Sequence, residues 1–207
     1  MEKKLEAIEN TEIIKAAQII KNGGVVVFPT DTVYGIGASA LNEDAIKKLY
    51  KAKGRPLNKK TCVLVSSIDM LKQVTRNISD VEYKLINEFL PGPLTITLNV
   101  KNIIPKILTN YEDFVGFRIP ANKIALELIE KVGCPLATSS ANLAGEPTGI
   151  NIKDIKNAFK DNVDYYIDGG KCEIGMPSTI VQVIDEIPHI IRKGSITEKQ
   201  IAKVLQV

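Results

Sequence analysis

The chain has 207 residues, 44% of them apolar, and a formal net charge of +3. That length and composition support one domain with a real core and exclude a disordered chain. No apolar run approaches the ~20 residues that a bilayer crossing requires, and so mild a charge permits contact with nucleotide or RNA without arguing for it.

The first residues, Met1-Glu2-Lys3-Lys4-Leu5-Glu6, mix charges and lack a secretory core, so the expected location is the cytoplasm. Thr11 to Asn22 carries Ile13, Ile14, Ala17 and Ile20 at helical spacing, and Gly23-Gly24 stops it. Val25 to Phe28 reads as a buried strand that opens at Pro29 into a loop, Thr30-Asp31-Thr32-Val33-Tyr34-Gly35-Ile36-Gly37. Asn42 can cap a helix from Glu43 to about Lys53, with Gly54 and Pro56 as its stop. Thr61 to Ser66 is a strand. Ser79-Asp80-Val81-Glu82 has the form of a capping box for a helix reaching about Leu90.

Leu94 to Val100 alternates apolar and polar, which predicts a half-buried strand. Val115 to Ile119 is another strand, a helix follows as far as Gly133, and Leu136 to Thr138 is a short strand. A helix over Ile152 to Phe159 and a strand over Val163 to Ile167 come next, then a loop from Gly169-Gly170. Thr179 to Ile184 and Ile187 to Arg192 flank Asp185-Glu186 as a hairpin. Ser195-Ile196-Thr197-Glu198 has the form of a second capping box, for a C-terminal helix. Strands joined both through helices and through a tight turn predict a mixed α/β sheet in a single domain.

The chemistry begins with absences. His189 is the one histidine, which argues against Ser-His-Asp and Cys-His engines and against a His-based metal site; it reads as a surface or sheet-edge residue. Three cysteines without a close pair argue against a disulfide framework and a zinc site. Cys62 and Cys134 sit among apolar neighbours as packed thiols, whereas Cys172, in a glycine-rich loop, is expected to be exposed. No Walker loop or dinucleotide glycine fingerprint is present.

Four polar clusters stand where strands or helices end. Thr30-Asp31-Thr32 suits an ordinary turn, but hydroxyls after a buried strand also suit a ligand. Lys53-Gly54-Arg55 suits either the negative end of a helix or a phosphate. Thr138-Ser139-Ser140-Ala141-Asn142, with Gly145, Pro147, Thr148 and Gly149, offers neutral hydrogen-bond partners, or helix caps. Gly169 through Gly175, with Pro177, Ser178 and Thr179, is either a mobile loop or a set of backbone amides open to an anion. Arg118, inside an apolar strand, needs a carboxylate or phosphate partner or a route to solvent. Arg192 ends the last strand as a terminal cation or a phosphate ligand.

Pro29 to Gly37, Lys53-Gly54-Arg55-Pro56, Arg118-Ile119-Pro120, Ser139 to Asn142, Pro177 to Val181 and Arg192-Lys193-Gly194 occur in that order. Together they resemble the YrdC-like family over roughly Thr11 to Leu205. The resemblance implies a single-domain α/β fold over residues 1–207, a twisted mixed parallel/antiparallel sheet flanked by helices, with a concave basic cavity. It implies a nucleotidyltransferase that turns L-threonine, bicarbonate (or CO₂) and ATP into L-threonylcarbamoyl-AMP, diphosphate and water, for modification of the adenosine beside certain tRNA anticodons. Mg²⁺ would arrive with ATP, with no metal site in the protein. A tRNA threonylcarbamoyl-transferase complex would take the product, with tRNA itself bound weakly at most and no membrane involved.

Matched position by position, the resemblance assigns Thr32, Arg118, Thr138 and Ser178 to threonine, Arg118 by pairing with its carboxylate. It assigns Lys53, Arg55, Lys59, Ser140, Asn142, Thr148 and Arg192 to the nucleotide, with Lys53 and Arg55 as the catalytic pair. Leu64 stands where some relatives carry a histidine, and the chain resembles the short form that lacks a C-terminal domain. The competing readings are a paralogue that binds nucleotide or RNA without making the adenylate, a carbamoyl-transfer domain, and an RNA-binding module. A carbamoyl-transfer domain would come with Cys-rich zinc motifs that this sequence lacks.

Overall fold

Alternation along the strands sorts their side chains into two faces, and helices cover those faces unequally. The computed structural model describes residues 2–147 and 152–206, with side chains from residue 10 onward. The first half runs α1 (Glu2–Lys21), β1 (Val26–Phe28), β2 (Gly35–Ser39), α2 (Glu43–Lys53), β3 (Cys62–Leu64), α3 (Ile68–Val74), α4 (Asp80–Phe89) and β4 (Leu94–Asn99). The second runs α5 (Lys106–Thr109), β5 (Phe114–Arg118), α6 (Lys123–Val132), β6 (Leu136–Ser140), α7 (Ile152–Phe159), β7 (Tyr165–Tyr166), β8 (Thr179–Ile184), β9 (Ile187–Arg192) and α8 (Glu198–Leu205).

Among the described residues the strands form one nine-stranded sheet in the order β7-β1-β2-β6-β3-β5-β4-β8-β9. Pairs β1–β7, β3–β5 and β4–β8 are parallel; the remaining pairs are antiparallel. The sheet is thus mixed, and the hairpin β8–β9 closes one edge. His189 lies exposed on that edge strand.

One face is largely apolar. Val25, Val27, Ile36, Val63, Ile96, Phe117 and Val181 pack there against residues of α2, α4, α7 and α8. The period of two sends Val26, Phe28, Leu64 and Leu136 to the opposite face, where α1 and α6 cover them with Ile13, Ile20, Leu128 and Ile129. That cover stops short. Two residues along from Leu64 and Leu136 on the same face stand Cys62 and Thr138, and they line a cavity.

Helix boundaries follow local chemistry. Asn42 Oδ1 accepts from the Asp44 and Ala45 amides at the start of α2, and Gly54 ends it at φ 60°. Ser79 and Glu82 form the expected capping box of α4. At α8 the expectation shifts by two residues: Thr197 is the cap and Gln200 its reciprocal partner. Ser195 is instead turned inward, and its Oγ is buried with no hydrogen-bond partner among the described residues.

The stretch from Gly35 to Gly37 was expected to be loop and is strand. Its glycines reflect crowding by a neighbour rather than a turn, since Thr138 of β6 lies over both. A Cβ on Gly37 would stand 2.9 Å from Thr138 Oγ1 and 3.2 Å from the Ala137 carbonyl oxygen, and one on Gly35 would stand 2.9 Å from Thr138 Cγ2. Gly37→Ala is therefore expected to lower stability by about 1–3 kcal/mol in urea unfolding. A mutant with an unchanged unfolding midpoint would show that Thr138 is free to turn aside.

Candidate functional site

The uncovered part of the sheet is the floor of a cavity of about 420 Å³. Register explains which residues reach it. Leu64 pairs with both Leu136 and Arg118, and Thr95 pairs with Ile180, which pairs with Arg192. Thr138 pairs with both Gly37 and Cys62, and Thr97 pairs with both Gly116 and Gln182. Small and hydroxyl-bearing residues replace the apolar ones that α1 and α6 would otherwise cover. The loop after β1 adds Thr30 and Thr32, and the approach to β8 adds Pro177 and Ser178.

Arg118, 6% exposed, is the most deeply buried cation of the lining. Its Nε donates to the Gly92 carbonyl at 2.9 Å and Nη1 to Thr32 Oγ1 at 2.7 Å. Its Nη2 is in a short, charged hydrogen bond with Asp31 Oδ1. Asp31, 3% exposed, also accepts from the Ala121 amide at 3.1 Å. The partner that a cation inside β5 requires is thus supplied by the chain itself. Thr32 is held in turn by Thr30, whose hydroxyl is 3.0 Å from its own.

A second set of groups holds Ser178. Its hydroxyl lies 2.8 Å from Thr95 Oγ1 and accepts from Arg192 Nη2 at 3.1 Å, and its carbonyl accepts from Nε and Nη2 of the same arginine. A third set sits where α2 ends. Arg55 Nη2 donates to the Lys60 carbonyl at 2.6 Å, and Lys60 lies 3.4 Å over the Phe114 ring while pairing with Glu112 at 2.7 Å. Gly54, in the left-handed conformation, lets the chain leave the helix and direct Arg55 to the cavity wall.

The structure therefore gathers Thr32, Arg55, Arg118, Thr138, Ser140, Ser178 and Arg192 around one cavity. Lys53, Lys59 and Asn142 are not among the residues that line it. Lys59 is exposed, and its carbonyl accepts from the Tyr50 hydroxyl. Lys53 is 2% exposed, and its ammonium donates to the carbonyls of Ser140 and Asn142. The Ala144 amide returns a bond to the Lys53 carbonyl, so the end of α2 and the turn after β6 are fastened from both sides. Asn142 secures the same turn by donating to the Leu143 and Glu146 carbonyls. Thr148 lies outside the described residues.

The glycine-rich loop was expected to be open, with Cys172 exposed. It is tied down. The Ile174 and Gly175 amides donate to the Asp31 and Thr32 carbonyls, and Tyr34 OH donates to Gly170 O at 2.7 Å. Cys172 is buried as a result, and these amides have no free direction for an anion. Burial also pushes the Tyr34 phenol up to about 12. Cys62 is half-buried on the cavity floor, and loss of solvent raises its thiol, so it stays neutral. Lys60, Thr61, Thr95 and Gln182 line the cavity although no sequence motif marks them as site residues, and Asp31, a member of the first polar cluster, joins the site through its bond to Arg118. The alternation in Leu94 to Val100 was a usable signal for Thr95, because it puts Thr95 and Thr97 on one face.

The profile of the Sua5/YciO/YrdC family, described as "Telomere recombination", matches residues 18–194. A threonylcarbamoyl-AMP synthase of Pyrococcus abyssi is 37% identical over 200 residues, which is 97% of this chain and 59% of that protein. The Bacillus subtilis protein of the same name is 37% identical over 196 residues, or 94% of this chain and 56% of its own length. The chain spans little more than half the length of these two relatives. The structure of P. abyssi Sua5 complexed with L-threonine superimposes with a TM-score of 0.90 at 37% identity, over 93% of this chain and 57% of that one.

Burial pulls the Lys53 ammonium down from its ordinary 10.5 to about 8, and the charge of Arg55 adds to the effect. The unfolded chain keeps that proton up to about 10.5, so between pH 8 and 10.5 it binds more protons than the folded one. Stability relative to Lys53→Met should thus rise across that window, by at most about 1.4 kcal/mol per pH unit. Urea unfolding of both proteins at pH 7.5 and 9.5 measures it; a constant gap would show that the ammonium is not desolvated.

Proposed function

The chain belongs to the Sua5/YciO/YrdC family, and on that premise we propose that it joins L-threonine, bicarbonate (or CO₂) and ATP into L-threonylcarbamoyl-AMP, releasing diphosphate and, when bicarbonate is the carbon source, water. The observation that carries this reading is the lining of the cavity. Hydroxyls from four segments of the chain (Thr32, Thr95, Thr138 and Ser178) share one hollow with three arginines (Arg55, Arg118 and Arg192). A cavity of about 420 Å³ falls in the range of small-molecule sites. Relatives named for this activity, and one solved with L-threonine, support the choice of substrate.

In this reading Arg118 takes the threonine carboxylate. Guanidinium has five N–H donors, and three of them are engaged with Gly92, Thr32 and Asp31, which leaves two for a ligand. Thr32, Thr138 and Ser178 supply the neutral partners around the amino acid. Arg55, Arg192 and Ser140 face the nucleotide. Lys53 and Asn142 act on it from behind by holding the turn after β6; a part for Lys59 and Thr148 in nucleotide binding rests on the family resemblance alone.

The chemistry asks for placement more than for proton transfer by a side chain. The threonine amine adds to CO₂, or displaces water from bicarbonate, to give a carbamate. A carbamate oxygen attacks the α-phosphorus of ATP, the bond to the β-phosphate oxygen breaks, and diphosphate leaves. Fixed donors that neutralise the growing negative charge are enough for such a transfer. Among the described residues no group of three or more His, Cys, Asp or Glu could cage a metal ion. The lining offers hydroxyls but no carboxylate, so a magnesium ion would be carried by the triphosphate itself, where it would neutralise phosphate charge. The product would pass to a tRNA threonylcarbamoyl-transferase complex, and no helix among the described residues is long and apolar enough to cross a membrane.

Purified protein with ATP and magnesium should form threonylcarbamoyl-AMP, detected by mass, only when both threonine and bicarbonate are present. Diphosphate release that persists with either one omitted would sink the reading. Thr138→Val removes one hydroxyl from the amino-acid side and should raise the threonine KM roughly five- to tenfold, as expected for about 1 kcal/mol of lost hydrogen bonding. Arg55→Ala should instead raise the ATP KM. Equal effects of each mutation on both substrates would show the two sides to be misassigned.

A further inference from the structure

We propose that Asp31 sets the charge of the Arg118 subsite, so that this part of the cavity admits a net-neutral zwitterion and turns away polyanions such as diphosphate. The inference rests on the reading above for the identity of the zwitterion, threonine. It goes beyond that reading in assigning a specificity-determining role to a residue behind the arginine.

Orientation is not what Arg118 lacks. The Gly92 carbonyl and the Thr32 hydroxyl already fix two edges of the guanidinium. What Asp31 adds is a full negative charge. It does so at a structural disadvantage, because Oδ2 is buried with no hydrogen-bond partner among the described residues. An amide in its place could accept from Arg118 and the Ala121 amide through the same oxygen, with an equally unpartnered NH2 at the position of Oδ2, and would lack only the charge. The carboxylate therefore serves the charge balance of the pair.

The other two arginines of the cavity contrast with this one. Arg55 donates to the Lys60 carbonyl and Arg192 to the Ser178 carbonyl and hydroxyl. Among the described residues neither is in an ion pair. One hollow therefore holds two kinds of cation. Arg55 and Arg192 keep their charge for phosphates. Arg118 with Asp31 sums to zero, yet the guanidinium keeps two N–H groups for a carboxylate. A zwitterion meets a site of zero net charge there, whereas a polyanionic phosphate is repelled by a carboxylate held directly behind the arginine. Without Asp31, diphosphate could occupy the amino-acid side and block the next threonine.

The test is diphosphate binding by titration calorimetry, without nucleotide, metal or threonine. Wild type is expected to bind one diphosphate. Asp31→Asn should gain a second, and Asp31→Asn/Arg118→Met should lose that second site while keeping the first within threefold of wild type. In steady-state assays diphosphate should become competitive with threonine only in Asp31→Asn. An Asp31→Asn protein that is folded by its melting curve yet still binds one diphosphate with wild-type affinity overturns the proposal. If that single variant does not fold, the double variant decides: a fivefold or greater loss of diphosphate affinity means that Arg118 takes phosphate in the wild type, and the proposal falls. Because the titration involves no turnover, a wild type that makes no adenylate defeats the proposed function and still leaves Asp31 judged.

Discussion

A guanidinium and a carboxylate meet in the interior of this protein, and much of the cavity's shape follows from that contact. Arg118 ends β5, and Asp31 lies in the connection from β1 to β2. Their other bonds reach Gly92 ahead of β4, Ala121 ahead of α6 and Thr32 beside Asp31 itself. The backbone of the same connection anchors the loop at Ile174 and Gly175. Segments far apart in the chain are thereby fixed around one point. A buried pair of this kind adds little net stability over an apolar pair of the same shape, but loss of one partner leaves an uncompensated charge costing about 3–5 kcal/mol. The two residues stand or fall together.

The remainder of the site depends on an incomplete layer. Both faces of the sheet begin as apolar surface, and α2, α4, α7 and α8 cover one of them. On the other face α1 and α6 reach only as far as Leu64 and Leu136. Beyond that line an apolar floor would lie open to water, and most residues there are Gly, Thr, Cys, Ser and Gln, with Ile180 and Ile191 toward the β8–β9 edge. Because this floor is built of paired strands, its hydroxyls are set by the register of the sheet. A loop would hold them less closely. Several are bonded to each other, as Thr95 is to Ser178 and Thr30 to Thr32, so the surface is organised before any ligand arrives.

Such an arrangement suits a reaction in which the protein neither donates an electron pair nor needs a histidine to move a proton. On the proposed reading it brings an amine, a carbon dioxide equivalent and an α-phosphate into line, and it answers the charge that develops. The two treatments of arginine in the cavity, with and without a carboxylate partner, would keep a neutral amino acid and a polyanionic nucleotide on their own sides. Lys53 shows how support behind the wall contributes. It lies outside the cavity yet fixes the turn that carries Ser140, and it does so with an ammonium that burial has made easier to deprotonate.

Local units are legible in the chain alone. Helices α2 and α4 and the hairpin β8–β9 have the bounds that caps, turns and periodicity imply, because those signals act between neighbours in the chain. The ordered motifs also placed most of the cavity's polar residues, since hydroxyls and glycines at strand ends are unusual where only a turn is needed. What needed the tertiary structure was anything set by partners remote in sequence. Strand β2 could not be read from Gly-Ile-Gly-Ala-Ser, because those glycines answer to Thr138 across the sheet. Cys172 read as exposed because its loop looks open until Tyr34, Asp31 and Thr32 bind it. The cap of α8 moved from Ser195 to Thr197, a choice between two adjacent signals that the burial of Ser195 decided. Arg118 plainly required a counter-charge, but which of 24 acidic residues would supply it was fixed only when β5 packed beside the loop after β1. Pairing of charges in a core is a matter of distance in space, and spacing along the chain does not encode it.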